Sequence, residues 1–149
     1  MKLLPLYKWI AGSENDFTRQ FQSNEQLFNQ ARSFWNKLDE SMWIVVMCVL
    51  VLGIGIASYY YTLYNNTPGR HYKPLKWFYF LILTFVITLI TSYGIQYMFC
   101  TPKLNGASTL ELMIAIGNSL YACILYFMTS VVWCNILPTN AYRLFKFKK

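Results

Sequence analysis

Three stretches of this chain contain no charged side chain. They run from Ser41 to Gly69, from Trp77 to Pro102 and from Leu112 to Tyr142, and are 29, 26 and 31 residues long. A bilayer hydrocarbon core of about 30 Å takes about 20 apolar residues of helix to cross, so each stretch is long enough. A surface helix of a soluble protein keeps a charged or polar face; in these stretches charge is absent all round. In hydrocarbon every backbone N–H and C=O needs a partner within its own segment, which leaves the helix as the available form. The pattern predicts an all-α integral membrane protein. Its transmembrane helices lie at 42–64, 75–99 and 110–137, in up-down order, preceded by an N-terminal amphipathic helix.

Composition agrees. The chain is 56% hydrophobic and 13% charged, about half the charge of an ordinary soluble domain, and disorder is excluded because it requires the opposite balance. Aromatic residues gather near the ends of the predicted spans: Trp43 and the Tyr59, Tyr60, Tyr61, Tyr64 group on the first, Trp77, Tyr79, Tyr93 and Tyr97 on the second, Trp133 and Tyr142 on the third. Amphipathic rings favour the headgroup level. The connections at 65–74 (NNTPGRHYKP) and 101–108 (TPKLNGAS) carry Pro-Gly and Asn-Gly turn chemistry. Three regions follow: an amphipathic or interfacial segment at 1–40, the three-span bundle at 41–138, and a basic tail at 139–149.

Orientation is read from lysine and arginine near the span ends, which collect on the cytoplasmic side. The first loop carries Arg70, Lys73 and Lys76, and the tail carries Arg143, Lys146, Lys148 and Lys149. Opposite them stand Lys103, Arg32 and Lys37. The count favours N-out, C-in, in a cytoplasmic (inner or plasma) membrane; including Lys2, Lys8 and Arg19 narrows it to seven against six. Residues 1–12 lack the small-residue cleavage site of a signal peptide. The four basic tail residues alternate with Leu144, Phe145 and Phe147, which suits contact with anionic lipid. The net charge of +7 is therefore assigned to the bilayer, and no nucleic acid is expected as a partner.

The segment 13–40 reads as one amphipathic helix. Ser13 with Asp16 three residues on resembles an N-cap with an acidic first turn. Phe17, Phe21, Leu27, Phe28, Ala31, Phe34, Trp35 and Leu38 then recur at helical spacing. Such a helix can lie in the interface, pack on the bundle or contact a partner chain.

Within the second predicted span, Thr84, Thr88, Ser92 and Gln96 are spaced by four with Thr91 beside them. In the third, Glu111, Ala115, Asn118, Ser119, Ala122, Thr129 and Ser130 share an arc. Gly53 and Ala57 form a small-xxx-small pair in the first. Small and polar residues on one side are how membrane helices approach and hydrogen-bond; the same stripes could line a water-filled path if several copies assemble. Glu111 also fits the capping box of Ser108-Thr-Leu-Glu111, in which the carboxylate reaches back to the helix start.

Catalytic chemistry finds little support. His71 is the single histidine, Cys48, Cys100, Cys123 and Cys134 show no metal-ligand spacing, and no acid lies deep within a span. No enzyme activity, cofactor or metal is expected. Two functions remain: a homo-oligomeric pore or channel-like assembly, whose path the polar faces of spans two and three would line, and, alternatively, a non-catalytic anchor or assembly subunit of a larger membrane complex.

Overall fold

The uncharged stretches fold as long helices. The computed structural model describes residues 7–65, 73–141 and 143–147, and all regular structure among them is helical: α1 (Lys8–Ala11), α2 (Glu14–Arg19), α3 (Glu25–Tyr59) closing in a π-helical turn (Tyr60–Tyr64), α4 (Pro74–Phe99) and α5 (Ala107–Asn135). At 1.5 Å per residue, α3, α4 and α5 are about 52, 39 and 44 Å long. All three are long and apolar enough to cross a membrane.

Two features differ from the sequence reading. The amphipathic stretch is not one helix: it breaks at residues 20–24, where the Asn24 side-chain oxygen accepts from the Gln26 and Leu27 amides at 3.0 and 3.3 Å and starts a new helix. From there α3 runs into the first uncharged stretch without interruption, with no proline between Glu25 and Tyr59 to break it. The second difference concerns the aromatics. Tyr60, Tyr61 and Trp77 are buried in a core rather than set outward as a headgroup belt, whereas Trp43, Tyr59, Tyr79 and Tyr97 are exposed.

The contacts group into two compact units, Met1–Met47 with Leu89–Asn118, and Cys48–Thr88 with Ser119–Lys149. Each long helix contributes one stretch to each. In the first unit, Ser13 caps α2 as the sequence suggests: its hydroxyl accepts from the Asp16 amide, and the Asp16 carboxylate accepts from the Ser13 amide and hydroxyl at 3.1 and 2.6 Å. Phe17 packs against Phe34 and Trp35 of α3, with ring centroids 5.7 and 5.9 Å apart. Ala31, Leu38, Met42, Val45 and Ile114 complete this core. Gly106, at φ +82°, turns the chain into α5 in a conformation that side-chain-bearing residues seldom adopt.

The Ser13 bonds hold the Asp16 carboxyl below the usual carboxylate range, the side-chain bond contributing most. A lowered native pKa means the cap stabilises α2 above the unfolded-state pKa and weakens as pH falls through the native one. The protection of the α2 amides against exchange, relative to their intrinsic rates, is expected to fall below about pH 4, and Asp16→Asn is expected to remove that pH dependence.

The second unit is aromatic. Ala57, Tyr60, Tyr61, Trp77, Tyr126, Cys134 and Ala141 form its core, with Phe80, Trp133 and Phe145 against it. Gly53 sits where α3 meets α5: a Cβ there would lie 2.8 Å from Leu125 Cβ and 2.9 Å from the Ala122 carbonyl oxygen.

Candidate functional site: buried polar networks and a basic end

A hydroxyl, amide or carboxylate removed from water must be hydrogen-bonded, or it costs about 1–3 kcal/mol. That makes the polar side chains of α4 and α5 the most informative in the protein. Thr84, Thr88, Ser92 and Gln96 on α4, and Glu111, Asn118, Ser119 and Ser130 on α5, are all buried. Thr91 and Thr129 are half-buried. The small residues Ala57, Ala115 and Ala122 are fully buried.

In the first unit, Asn118 uses both ends of its amide. Its Nδ2 donates to Ser92 Oγ at 2.7 Å, and its Oδ1 accepts from the Tyr7 hydroxyl. Asn118 lies eleven residues into α5, about 16 Å along its axis. The segment before α2 therefore packs along α5, and the neighbouring Gly117 leaves room for the Tyr7 and Ile10 side chains, 3.5–3.7 Å from where a Cβ would stand. Of the three placements open to the N-terminal segment, residues 7–19 take up packing within this unit. Asn118→Leu is expected to lower stability by about 2 kcal/mol and Tyr7→Phe by about 1 kcal/mol, measured by thermal unfolding in detergent.

Further toward the start of α5, Lys103 Nζ donates to Glu111 Oε1 at 2.6 Å and stands 4.1 Å from the centre of the Tyr97 ring. Glu111 is fully buried while the Lys103 side chain is 32% exposed. The capping box read at Ser108–Glu111 does not form: Ser108 lies inside α5, and the carboxylate turns to Lys103 instead of the helix start. Lys37 of α3 donates to the Thr101 carbonyl and hydroxyl at 2.8 and 3.2 Å. Burial, and then the nearby Glu111 carboxylate, pushes the Cys100 thiol up to about 11, so it stays protonated and unreactive at neutral pH.

Three atoms in these stripes are buried without a hydrogen-bond partner: Gln96 Oε1 and Glu111 Oε2 in the first unit and Thr88 Oγ1 in the second. The Gln96 amide nitrogen faces Met42 Sδ at 3.7 Å, a weak acceptor.

The second unit closes its polar groups in a ring of contacts. Trp77 Nε1 donates to Ser130 Oγ at 3.0 Å, Ser130 donates to the Tyr126 carbonyl at 2.7 Å, and the Tyr126 hydroxyl donates to the Trp77 carbonyl at 3.3 Å. Thr84 donates within its own helix to Phe80. An open cleft of about 510 Å³ is lined by Tyr61, Thr62, Trp133, Leu137, Pro138 and Thr139, together with Asn140. It offers hydroxyls and aromatic walls but no carboxylate, imidazole, thiol or amine. Among the described residues, no three His, Cys, Asp or Glu gather to hold a metal.

Comparison with models of known families, with curated proteins and with solved structures finds no match. The functional reading therefore rests on the residues themselves.

Several of these residues lie beyond the reach of sequence reasoning. Tyr7 and Trp77 act through partners 111 and 53 residues away in the chain, while Lys103 and Asn135, the last residue of α5, meet theirs 8 to 12 residues along it. Gly117 beside Asn118 is a local signal, a small residue next to a buried amide. Of the tail residues read as lipid contacts, Arg143 is half-buried and Lys146 exposed. Lys148 and Lys149 lie outside the described residues, as do Arg70 and His71.

Proposed function

We propose that this is a three-span integral membrane protein serving as a non-catalytic anchor or assembly subunit of a larger membrane complex. The observation that carries this reading is that the polar groups of α4 and α5 are turned inward and mostly paired within the protein. Along the middle of these helices what remains outward is apolar: Ile82, Leu83, Val86 and Ile90 of α4, and Ile124, Phe127, Met128 and Val132 of α5, are all exposed. Such faces suit hydrocarbon or the apolar face of another membrane chain, and they bear no reactive group. The distribution of Lys and Arg supports an N-out, C-in orientation in a cytoplasmic membrane.

Purification in mild detergent tests this. A second polypeptide at fixed stoichiometry is the expected result, and recovery solely as a ring of identical chains would overturn it.

The unpartnered Thr88, Gln96 and Glu111 oxygens favour a second reading, the homo-oligomeric pore. Buried acceptors without protein partners are groups that ordered water satisfies, and hydrated groups of this kind suit the lining of a path. On this reading Thr88→Leu changes ion flux across a reconstituted bilayer. Wild-type flux equal to that of a protein-free bilayer ends it.

A further inference from the structure

The two units differ completely in charge. The first holds six basic and six acidic side chains and is neutral, while the second holds seven basic side chains and no acidic one. The entire net charge of +7 thus belongs to the second unit. Both ion pairs among the described residues, Arg32 with Glu14 and Lys103 with Glu111, lie in the first. The basic side chains of the second unit have no carboxylate side chain in that unit with which to pair.

Of these charges, Arg143 and Lys146 are not strewn on a free tail. Asn135, the last residue of α5, holds the C-terminal segment at two points: its Nδ2 donates to the Phe145 carbonyl and its Oδ1 accepts from the Phe147 amide, both at 2.9 Å. The Phe145 ring turns back against Phe127 of α5 and Trp77 of α4, with centroids 4.8 and 5.1 Å apart. Lys76 is the chain neighbour of Trp77 and Lys146 of Phe145. The ring contact therefore brings two lysine-bearing stretches of backbone together. Lys73, Lys76 and Lys146 are all exposed, and Phe147 beside Lys146 is 69% exposed. An apolar ring docked on the helices, an outward phenylalanine and a set of uncompensated ammonium groups match the boundary where acyl chains meet headgroups.

We propose that this end of the second unit is a built binding surface for anionic lipid headgroups, with Lys73, Lys76, Arg143 and Lys146 supplying charge and Asn135 and Phe145 fixing the tail in place. The proposal rests on the membrane-spanning reading above and not on the anchor role. An acidic protein or a nucleic acid would meet the same charge, but would leave the outward Phe147 and the docked ring without an apolar environment.

The test uses the full chain in bilayer nanodiscs made from equal amounts of phosphatidylcholine and phosphatidylglycerol, released into mild detergent for native mass spectrometry. Wild type is expected to retain phosphatidylglycerol in several-fold excess over phosphatidylcholine. Each of Lys76→Gln and Lys146→Gln is expected to reduce that excess about fivefold, the equivalent of about 1 kcal/mol per basic residue. Asn135→Leu keeps every charge and is the decisive variant: release of the tail should reduce the excess to a similar degree. Equal retention of both lipids by wild type overturns the proposal, and so does an excess that Asn135→Leu leaves untouched, since unstructured charge would then suffice. A chain that does not enter the nanodisc overturns the membrane reading as well. Entry with equal retention of the two lipids overturns the headgroup surface alone.

Discussion

Gly53→Ala is expected to destabilise the protein by about 2 kcal/mol, while Gly55→Ala, two residues on, leaves stability unchanged or raises it. The two substitutions add the same methyl group to the same helix. At Gly55 the new Cβ meets nothing within 4 Å, whereas at Gly53 it would stand 2.8 Å from Leu125 Cβ and 2.9 Å from the Ala122 carbonyl oxygen. The carbonyl is backbone and cannot swing aside, so α3 and α5 must separate locally. Overpacking of this kind costs about 1–3 kcal/mol, against a gain of at most about 1 kcal/mol for replacing glycine in a helix. Gly53→Leu extends the clash and is expected to exceed the alanine variant. Thermal unfolding of the three variants in one detergent decides the matter: equal midpoints for the two alanine variants would show that α3 and α5 do not approach so closely.

Much of the helix inventory is legible because it depends on absence. A run of 26 or more residues without charge leaves few alternatives to a long apolar helix, and α4 and α5 lie close to the predicted 75–99 and 110–137. The start of α3 is not legible. Composition changes at residue 41, but a helix does not stop where composition changes, and nothing between Glu25 and Tyr59 breaks it. The capping box at Ser13 is local and can be read; the similar pattern at Ser108 misleads, because a lysine on the preceding loop competes for the same carboxylate. The four-residue spacing of Thr84, Thr88, Ser92 and Gln96 puts them on one face, and that face is buried. What each one touches is another matter. The phenol that reaches Asn118 is 111 residues away in the chain, and no periodicity within α5 could point to it. The docking of Phe145 is hidden for the same reason, since a tail written as alternating lysine and phenylalanine reads equally well as free.

The Lys103–Glu111 pair gives the other large effect. Lys103→Met is expected to destabilise the protein by about 3 kcal/mol, and adding Glu111→Gln to it is expected to recover most of that loss. Glu111 is fully buried, and Lys103 donates to it at 2.6 Å. Its second oxygen has no partner, so the lysine is the one hydrogen-bond donor to this carboxylate among the described residues. Removing one member of a buried ion pair strands the other charge, at a cost of about 3–5 kcal/mol. The lower figure applies because Lys103 is one-third exposed and partly screened by solvent. Glutamine in place of Glu111 removes the stranded charge while keeping the shape of the side chain, so the double variant should unfold near the wild-type midpoint. Chemical or thermal unfolding of the four proteins of this cycle separates the pair from its parts. If Lys103→Met alone is neutral, water must reach Glu111, and the hydrated path of the second functional reading gains the support that the apolar exterior of α4 and α5 does not give it.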